Sequence, residues 1–313
     1  MRSIRVDAPG LLTTVQDLGR PGFGAIGVSP SGAADPISLR LGNRLVGNAE
    51  GAAALEMTLL GGSLAFPDGG VVALTGSDFG ARIDDSPVDM GTSLEIRPGQ
   101  TLRLGPTLSG ARCYLCIHGG IAVPPFLGSA STHLLSGLGG FEGRALGKGD
   151  LLRVGPRSVS FRRRAIAPRL AEQLSRRNVL RVTPGPHAEW FSESSLRTFC
   201  SSTYSVGEQS NRMGIRLEGA PVSQSKAAPM ITEGVSLGAV QVPPSGLPII
   251  LFVEQQTTGG YPKIANMISA DLHRLGQLRP RDEIRFELVS FEAARSLLVE
   301  QERMLASPES ILE

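Results

Sequence analysis

From residue 53 to residue 154 the chain repeats one pattern, a few residues of β-type sequence followed by a turn rich in Gly, Pro or Asp. The segments 53–58, 64–66, 71–75, 81–83, 93–96, 101–104, 112–118 and 151–154 all fit it. Punctuation this dense favours many short strands joined by tight turns, and 39 Gly and 22 Pro supply it. The expected fold class is mainly β with a few helices.

Helical patterns are confined to a few places. Asp35 is placed to cap a helix with Pro36 in its first turn, and Ile37, Leu41 and Leu45 share one face up to a cap at Gly47. Segments 3–6 and 11–15 read as a hairpin about the turn at Pro9 and Gly10. In the second half, strands are expected at 179–183, 204–206, 216–217, 247–253 and 284–289, with a helical piece at 188–200. The spacing of Ile264, Met267, Ile268, Asp271, Leu272 and Leu275 predicts a helix over 263–278. Ser290 is expected to cap a terminal helix with Ala294, Leu297 and Leu298 as its apolar stripe.

A length of 313 residues exceeds the usual single domain. The expected division is a first domain over 1–160, a linker over 161–178 and a second domain over 179–313. The linker sits in a run of nine arginines (153, 157, 162, 163, 164, 169, 176, 177 and 181) against one acid, Glu172. Such a run is either a solvated linker or a docking surface for an acidic partner. Over the whole chain 31 basic and 29 acidic residues nearly cancel, giving no long-range pull toward nucleic acid or membrane. Three cysteines argue against a disulfide framework, and the start MRSIRVDAPG has no apolar signal core. A cytoplasmic protein is the expectation.

The richest chemistry lies within 241–265. There an apolar run emerges into Glu254, Gln255, Gln256, Thr257 and Thr258, followed by Gly259 and Gly260, which let a backbone or ligand approach closely. With Gln241 and Tyr261 this is the best small-molecule constellation in the chain. Arg212, beside Gly214, suits a carboxylate or phosphate, or else a salt bridge. Other candidates are weaker. Cys113 and Cys116 are three apart on a strand pattern and so face opposite sides, which speaks for structural cysteines and against a metal pair. His118, His133, His187 and His273 lack metal-ligand spacing, so no metal site is expected. Gly22, Gly24 and Gly27 match a dinucleotide fingerprint without its helix, and the stretch from Gly143 to Asp150 is one residue short of a phosphate loop. The hydroxyls of Ser129, Ser131 and Thr132 either serve an anion or cap a turn.

These motifs, taken in order, resemble the 5-oxoprolinase C-subunit family, also described as allophanate hydrolase subunit 2 or biotin-dependent carboxyltransferase-like. The likeness runs through the stretch from Thr13 to Gly22, Ser31 to Asp35, Asn43 to Asn48, Leu55-Glu56, His118 to Ile121, Gly128 to Thr132, Gly139 to Arg144, Pro184-Gly185-Pro186, Ser210 to Gly214, Gly238 to Pro243 and Gln256 to Pro262. It departs at Glu254, where the family usually has Asp, and at Thr232, where Ser is common. The resemblance implies two tandem cyclophilin-like β-barrels. It also implies partnership with a B-type and an A-type subunit in opening 5-oxo-L-proline to L-glutamate at the expense of ATP, a cofactor of the complex. On that reading Gln256, Thr257, Thr258 and Glu254 are catalytic candidates. Arg212, Gln241, Gly259, Gly260 and Tyr261 are candidates for substrate binding, with Arg212 on the carboxylate. The alternatives are a carboxyltransferase-type module of a urea carboxylase or allophanate hydrolase system, with biotin carried by a partner, and a non-catalytic regulator that binds a kinase-inhibitor-like B-type partner.

Overall fold

The computed structural model describes residues 2–156, 161–175, 178–225 and 230–313. Arg157, Arg176 and Arg177 of the basic run lie outside them. The chain is mainly β with a few helices, as the turn-punctuated pattern predicts. It divides into two compact units, one drawn from Met1–Arg20, Ser31–Ser175 and Leu305–Glu313, the other from Pro21–Pro30 and Arg176–Met304.

The first unit is built on two large antiparallel sheets. One runs in the order Leu151–Arg153, Ser3–Ala8, Ser63–Ala65, Thr101–Arg103, Arg82–Ile83, Ser86–Pro87; the other in the order Leu12–Gln16, Ala54–Thr58, Arg112–Ile117, Gly70–Gly76, Ser93–Ile96. The expected hairpin between 3–6 and 11–15 is therefore corrected, since the two strands belong to different sheets and pair with partners distant in sequence. Alternation along Arg112–Ile117 sorts its side chains. Cys113 and Leu115 enter one apolar cluster with Ile4, Val15 and Leu74, while Tyr114 and Cys116 enter another with Leu39 and Leu45. Leu39 and Leu45 come from helix α1, Pro36–Leu45, capped by Asp35 Oδ1 accepting from the Ser38 N–H at 3.0 Å. The start of α1 is tied to the sheet by buried polar groups. Tyr114 donates its hydroxyl to Glu56 at 2.7 Å and accepts from the Asp35 N–H at 2.7 Å.

The expected linker is also corrected. Within 161–178, Ala165–Ile166 is a strand and Pro168–Gln173 a helix, α2, both in the first unit. Arg162 and Arg164 reach Glu313, and Ile166 pairs with Ile311, so the end of the chain completes the first unit rather than the second.

The second unit is built on a closed barrel in the order Val179–Pro184, Lys263–Met267, Ala239–Gln241, Ile249–Leu251, Gly214–Glu218, Tyr204–Val206, Glu283–Leu288. Helix α3, Glu193–Ser201, is capped by Ser192, and its Phe199 stacks on Phe286 with ring centroids 4.3 Å apart. The helix expected over 263–278 is replaced by the strand Lys263–Met267, a 3-10 turn at Ser269–Asp271 and a single turn of helix, α4, Leu272–Leu275. Lys263, Ile264, Ala265 and Met267 are all buried, so this strand is covered on both faces and lacks the alternation that marks a half-exposed one. Asp271, fully buried, accepts from the Arg181 N–H at 2.9 Å and from its guanidinium at 2.6 Å, with Arg274 3.4 Å away. Burial works to raise the Asp271 carboxyl, but these bonds and the Arg274 charge outweigh it and hold it below the usual range. The terminal helix α5, Phe291–Ala306, starts where expected, with Ser290 Oγ accepting from the Ala293 N–H at 3.1 Å.

Candidate functional site

Two barrel strands and one outer ribbon assemble a polar cluster in the second unit. Strands Ala239–Gln241 and Lys263–Met267 are antiparallel neighbours with Gln241 opposite Lys263, so the two side chains share a face. Strand Lys263–Met267 is reached closely by the loop after Val179–Pro184. A Cβ at Gly185 would run into the Lys263 carbonyl oxygen, so only glycine lets Pro184-Gly185-Pro186 pass, and this delivers His187 to the cluster. The ribbon consists of Glu233–Gly234 and Thr258–Gly259, with Glu233 opposite Gly259.

Lys263 is buried, its side chain 3% exposed, and its Nζ lies 2.7 Å from Glu233 Oε1. The Glu233 side chain is 45% exposed. The hydrogen bond from Lys263 holds the Glu233 carboxyl below its usual range against a smaller opposing effect of burial, with the charges of Lys263 and His187 adding to the lowering. His187 Nδ1 accepts from the Lys263 N–H at 3.4 Å, which leaves the ring proton of the neutral form on Nε2, 3.6 Å from Glu233 Oε1. Trp190 meets the His187 ring edge to face at 5.3 Å.

Gln241 is 1% exposed, and its amide nitrogen has no hydrogen-bond partner among the described residues. A buried amide left so is costly, which makes Gln241 a candidate donor to a ligand. The nitrogen lies against Gly259, 2.5 Å from where a Cβ would stand, and the Gln256 amide nitrogen lies 3.5 Å from the same point. Two amide donors thus converge over one glycine. Thr257 accepts from the Val235 N–H at 3.1 Å and Thr258 pairs with Gly234, so the Gln256-Thr257-Thr258 turn is held by its backbone while its side chains stay at the surface. Tyr261, 44% exposed, stands just beyond Gly260.

Of the residues singled out in the sequence, Gln241, Gln256, Thr257, Thr258, Gly259, Gly260 and Tyr261 belong to this neighbourhood. Arg212 and Glu254 are placed differently. They form a buried pair with each other, Nε to Oε1 at 2.5 Å, side chains 6% and 3% exposed, backed by the Glu254 N–H donating to the Arg212 carbonyl at 2.8 Å. The surface salt bridge weighed for Arg212 is thus an interior one. Lys263, Glu233 and His187 do not stand out in the sequence as site residues. Lys263 lies 76 residues from His187 and 30 from Glu233, and the only local signal is the position of His187 after Pro184-Gly185-Pro186.

The weaker candidates resolve as structure. Ser129 and Ser131 both donate to Asp17 Oδ1, at 2.6 and 2.5 Å, and the Ser131 N–H donates to the Ser129 hydroxyl at 3.0 Å, so these hydroxyls are taken up inside the fold. Cys113 and Cys116 are free and buried, and burial raises both thiols far above their usual range. His118 Nδ1 lies 2.6 Å from the Val46 carbonyl, beside a cavity of about 360 Å³ in the first unit. A cavity of about 540 Å³ in the second unit, lined by Glu208, Arg216, Leu247 and Arg281 among others, contains none of the cluster residues. Among the described residues no His, Cys, Asp or Glu grouping could hold a metal ion, and no helix is long and apolar enough to cross a membrane.

Comparison with known proteins places this geometry in context. Residues 26–288 match the family described as carboxyltransferase domain, subdomain A and B. The chain is 41% identical over 300 residues to the 5-oxoprolinase C subunit of Escherichia coli K12, covering 96% of each. Among solved structures it is similar to the urea amidolyase of K. lactis, with a TM-score of 0.92 and 33% identity over 99% of this chain but 21% of that one. It is also similar to the urea carboxylase of Kluyveromyces lactis, with a TM-score of 0.90 and 33% identity over 99% of this chain and 30% of that one.

Proposed function

Because this chain belongs to the carboxyltransferase-domain family, and within it to the 5-oxoprolinase C-subunit group, we propose that it is the C-type component of an ATP-dependent 5-oxoprolinase. In that role it acts with an A-type and a B-type subunit to open 5-oxo-L-proline to L-glutamate. The observation that carries this reading is the convergence of the Gln241 and Gln256 amide nitrogens over Gly259.

The chemistry asks for such donors. A lactam carbonyl is a poor electrophile, and its oxygen must be held and polarised before it can be activated for ring opening. Preorganised N–H groups aimed at that oxygen stabilise the transition state more than the ground state. Gln241 is the fixed donor because it is buried on a barrel strand, and Gln256 is the adjustable one because it lies at the surface. Thr257, Thr258, Gly260 and Tyr261 complete the wall on the solvent side.

On this reading ATP would supply the phosphoryl group that activates the lactam oxygen. The phosphate-loop-like stretch of this chain does not fit a nucleotide. Arg144 closes it onto Asp150 at 2.7 Å, and the Gly147 N–H, which a phosphate would need, donates to the same carboxylate at 2.7 Å. On this reading ATP belongs to a partner subunit.

The likeness to urea-processing enzymes supports a second reading, a carboxyltransferase-type module that receives a carboxyl group from biotin carried by a partner. One experiment separates the readings. The purified chain is mixed with its B-type and A-type partners, and products are followed. Glutamate release that needs both 5-oxoproline and ATP supports the first reading. Carboxybiotin consumption supports the second, and tight B-type binding without turnover points to a regulatory role and defeats both.

A further inference from the structure

We propose that Lys263 Nζ is the carboxylate-binding point of this site, and that Glu233 occupies it as an internal stand-in which the ligand's carboxylate displaces. Only the identity of the ligand rests on the 5-oxoprolinase reading; the displacement rests on the geometry of the pair.

The two partners differ in what holds them. Lys263 sits on a barrel strand with its side chain 3% exposed, so its ammonium has nowhere to go. Glu233 sits on a two-residue ribbon with its side chain 45% exposed. When an outside carboxylate arrives, Glu233 can swing into water and recover its hydration, while Lys263 exchanges one carboxylate for another and is never left buried and unpaired. The half-exposed partner is the one that leaves. His187 Nε2, 3.6 Å from Glu233 Oε1, remains as a second contact for the released carboxylate.

Arg212 offers no such exchange. Both it and Glu254 are enclosed, and removing the guanidinium from that pair strands the Glu254 carboxylate in the interior. Lys263 also shares a face with Gln241, whose amide nitrogen is buried and unpartnered among the described residues. A cation and an amide donor side by side define the ligand class, a small molecule with a carboxylate a few atoms from an amide or lactam carbonyl. The carboxylate meets Lys263 and the carbonyl meets Gln241.

The test compares KM values in the reconstituted complex for 5-oxo-L-proline and for its uncharged carboxamide, which keeps the lactam. If Glu233 occupies Lys263 nine-tenths of the time, Glu233→Gln lowers the KM for 5-oxoproline about tenfold and leaves that of the carboxamide in place. Glu233→Asp, with a shorter reach and the charge kept, moves the same way by less and covers the case in which Glu233→Gln does not fold. Lys263→Met raises the KM for 5-oxoproline at least tenfold with little change for the carboxamide. A KM for 5-oxoproline that stays or rises in both Glu233 variants overturns the proposal, as does an equal shift for the two substrates. If the wild-type complex releases no glutamate, the functional reading fails alone. Binding of acetate against acetamide to the full chain then decides: acetate binding gained in Glu233→Gln supports displacement, and an equal response to both probes overturns it.

Discussion

Removing one member of the Arg212 and Glu254 pair should be among the most damaging single changes in the second unit. Both side chains are almost wholly enclosed, at 6% and 3% exposure, and the bond is short at 2.5 Å. Arg212→Met leaves the Glu254 carboxylate in the interior without its partner, and Glu254→Met takes the bonded carboxylate from the buried guanidinium. Breaking a buried pair in this way costs about 3–5 kcal/mol, or a fall in Tm of about 6–20 °C for a unit of this size. Replacing both members by Met removes both charges together and should recover most of the loss, since buried pairs often exchange for apolar residues at little net cost. Thermal unfolding of the two single variants and the double variant forms a cycle that isolates the coupling. Turnover by the double variant then separates two roles. As a support for the loop that carries Gln256, the pair can be replaced with KM held within about twofold, well under the tenfold step that 1.4 kcal/mol of lost binding represents. As the clamp on the substrate carboxylate, Arg212 cannot be replaced, and KM rises even where Tm is restored. Single variants that cost less than about 1 kcal/mol, or a double variant whose loss equals the sum of the two, refute the reasoning.

Asp271 makes the second unit sensitive to acid. Its folded carboxyl lies below the unfolded value of about 3.9, so its contribution is fully present well above that pH and is lost as pH falls through the folded value. Asp271→Asn should flatten the dependence of Tm on pH below about pH 5 while lowering Tm at pH 7, and parallel curves for variant and wild type count against this account. Gly259→Ala puts a methyl 2.5 Å from the Gln241 amide nitrogen. The amide must swing away, so kcat/KM should fall at least tenfold with Tm changed by only a few degrees, about 1 kcal/mol of stability. Unchanged turnover argues against Gln241 as the donor. The three cysteines should differ in reach. Burial raises the thiols of Cys113 and Cys116 far above their usual range, so a thiol reagent at pH 8 should leave both untouched in the folded chain and modify all three in guanidinium; rapid labelling of either in the native state contradicts the packing.

Local signals carried much of the fold. Strands Ser93–Ile96 and Tyr204–Val206 begin and end where the turns around them dictate, and Asp35 with Pro36 announces α1 through capping chemistry that needs no tertiary partner. Pairing was harder to see. Ser3–Ala8 and Leu12–Gln16 are adjacent in sequence yet sit in separate sheets, because the neighbours that bury them come from residues 54–65 and 151–153. Lys263–Met267 misled for a related reason. A strand covered on both faces shows no alternation, and its apolar residues can satisfy helical spacing by coincidence. That one error also hid the site. On a helix Lys263 has no fixed relation to Gln241, whereas on the barrel strand the two are opposite each other. The polar run from Gln256 to Tyr261 was legible because its donors are consecutive. The Glu233, His187 and Lys263 grouping was not, because it exists only after the barrel closes.

The first unit borrows its last strand from the far end of the chain, where Ile311 pairs with Ile166 and Arg44 bonds Ser310 and the Leu305 carbonyl. The strands of its two large sheets are all made by residue 154, but the segment that pairs with Ala165–Ile166 follows the whole barrel of the second unit, so the unit begun first is finished last in sequence. A chain that stops after residue 304 therefore keeps every strand of the second unit's barrel and leaves the Ala165–Ile166 edge of the first unit bare. An unpaired edge of that kind invites association with other chains. Damage at the carboxyl end should then surface as aggregation nucleated at the amino-terminal half.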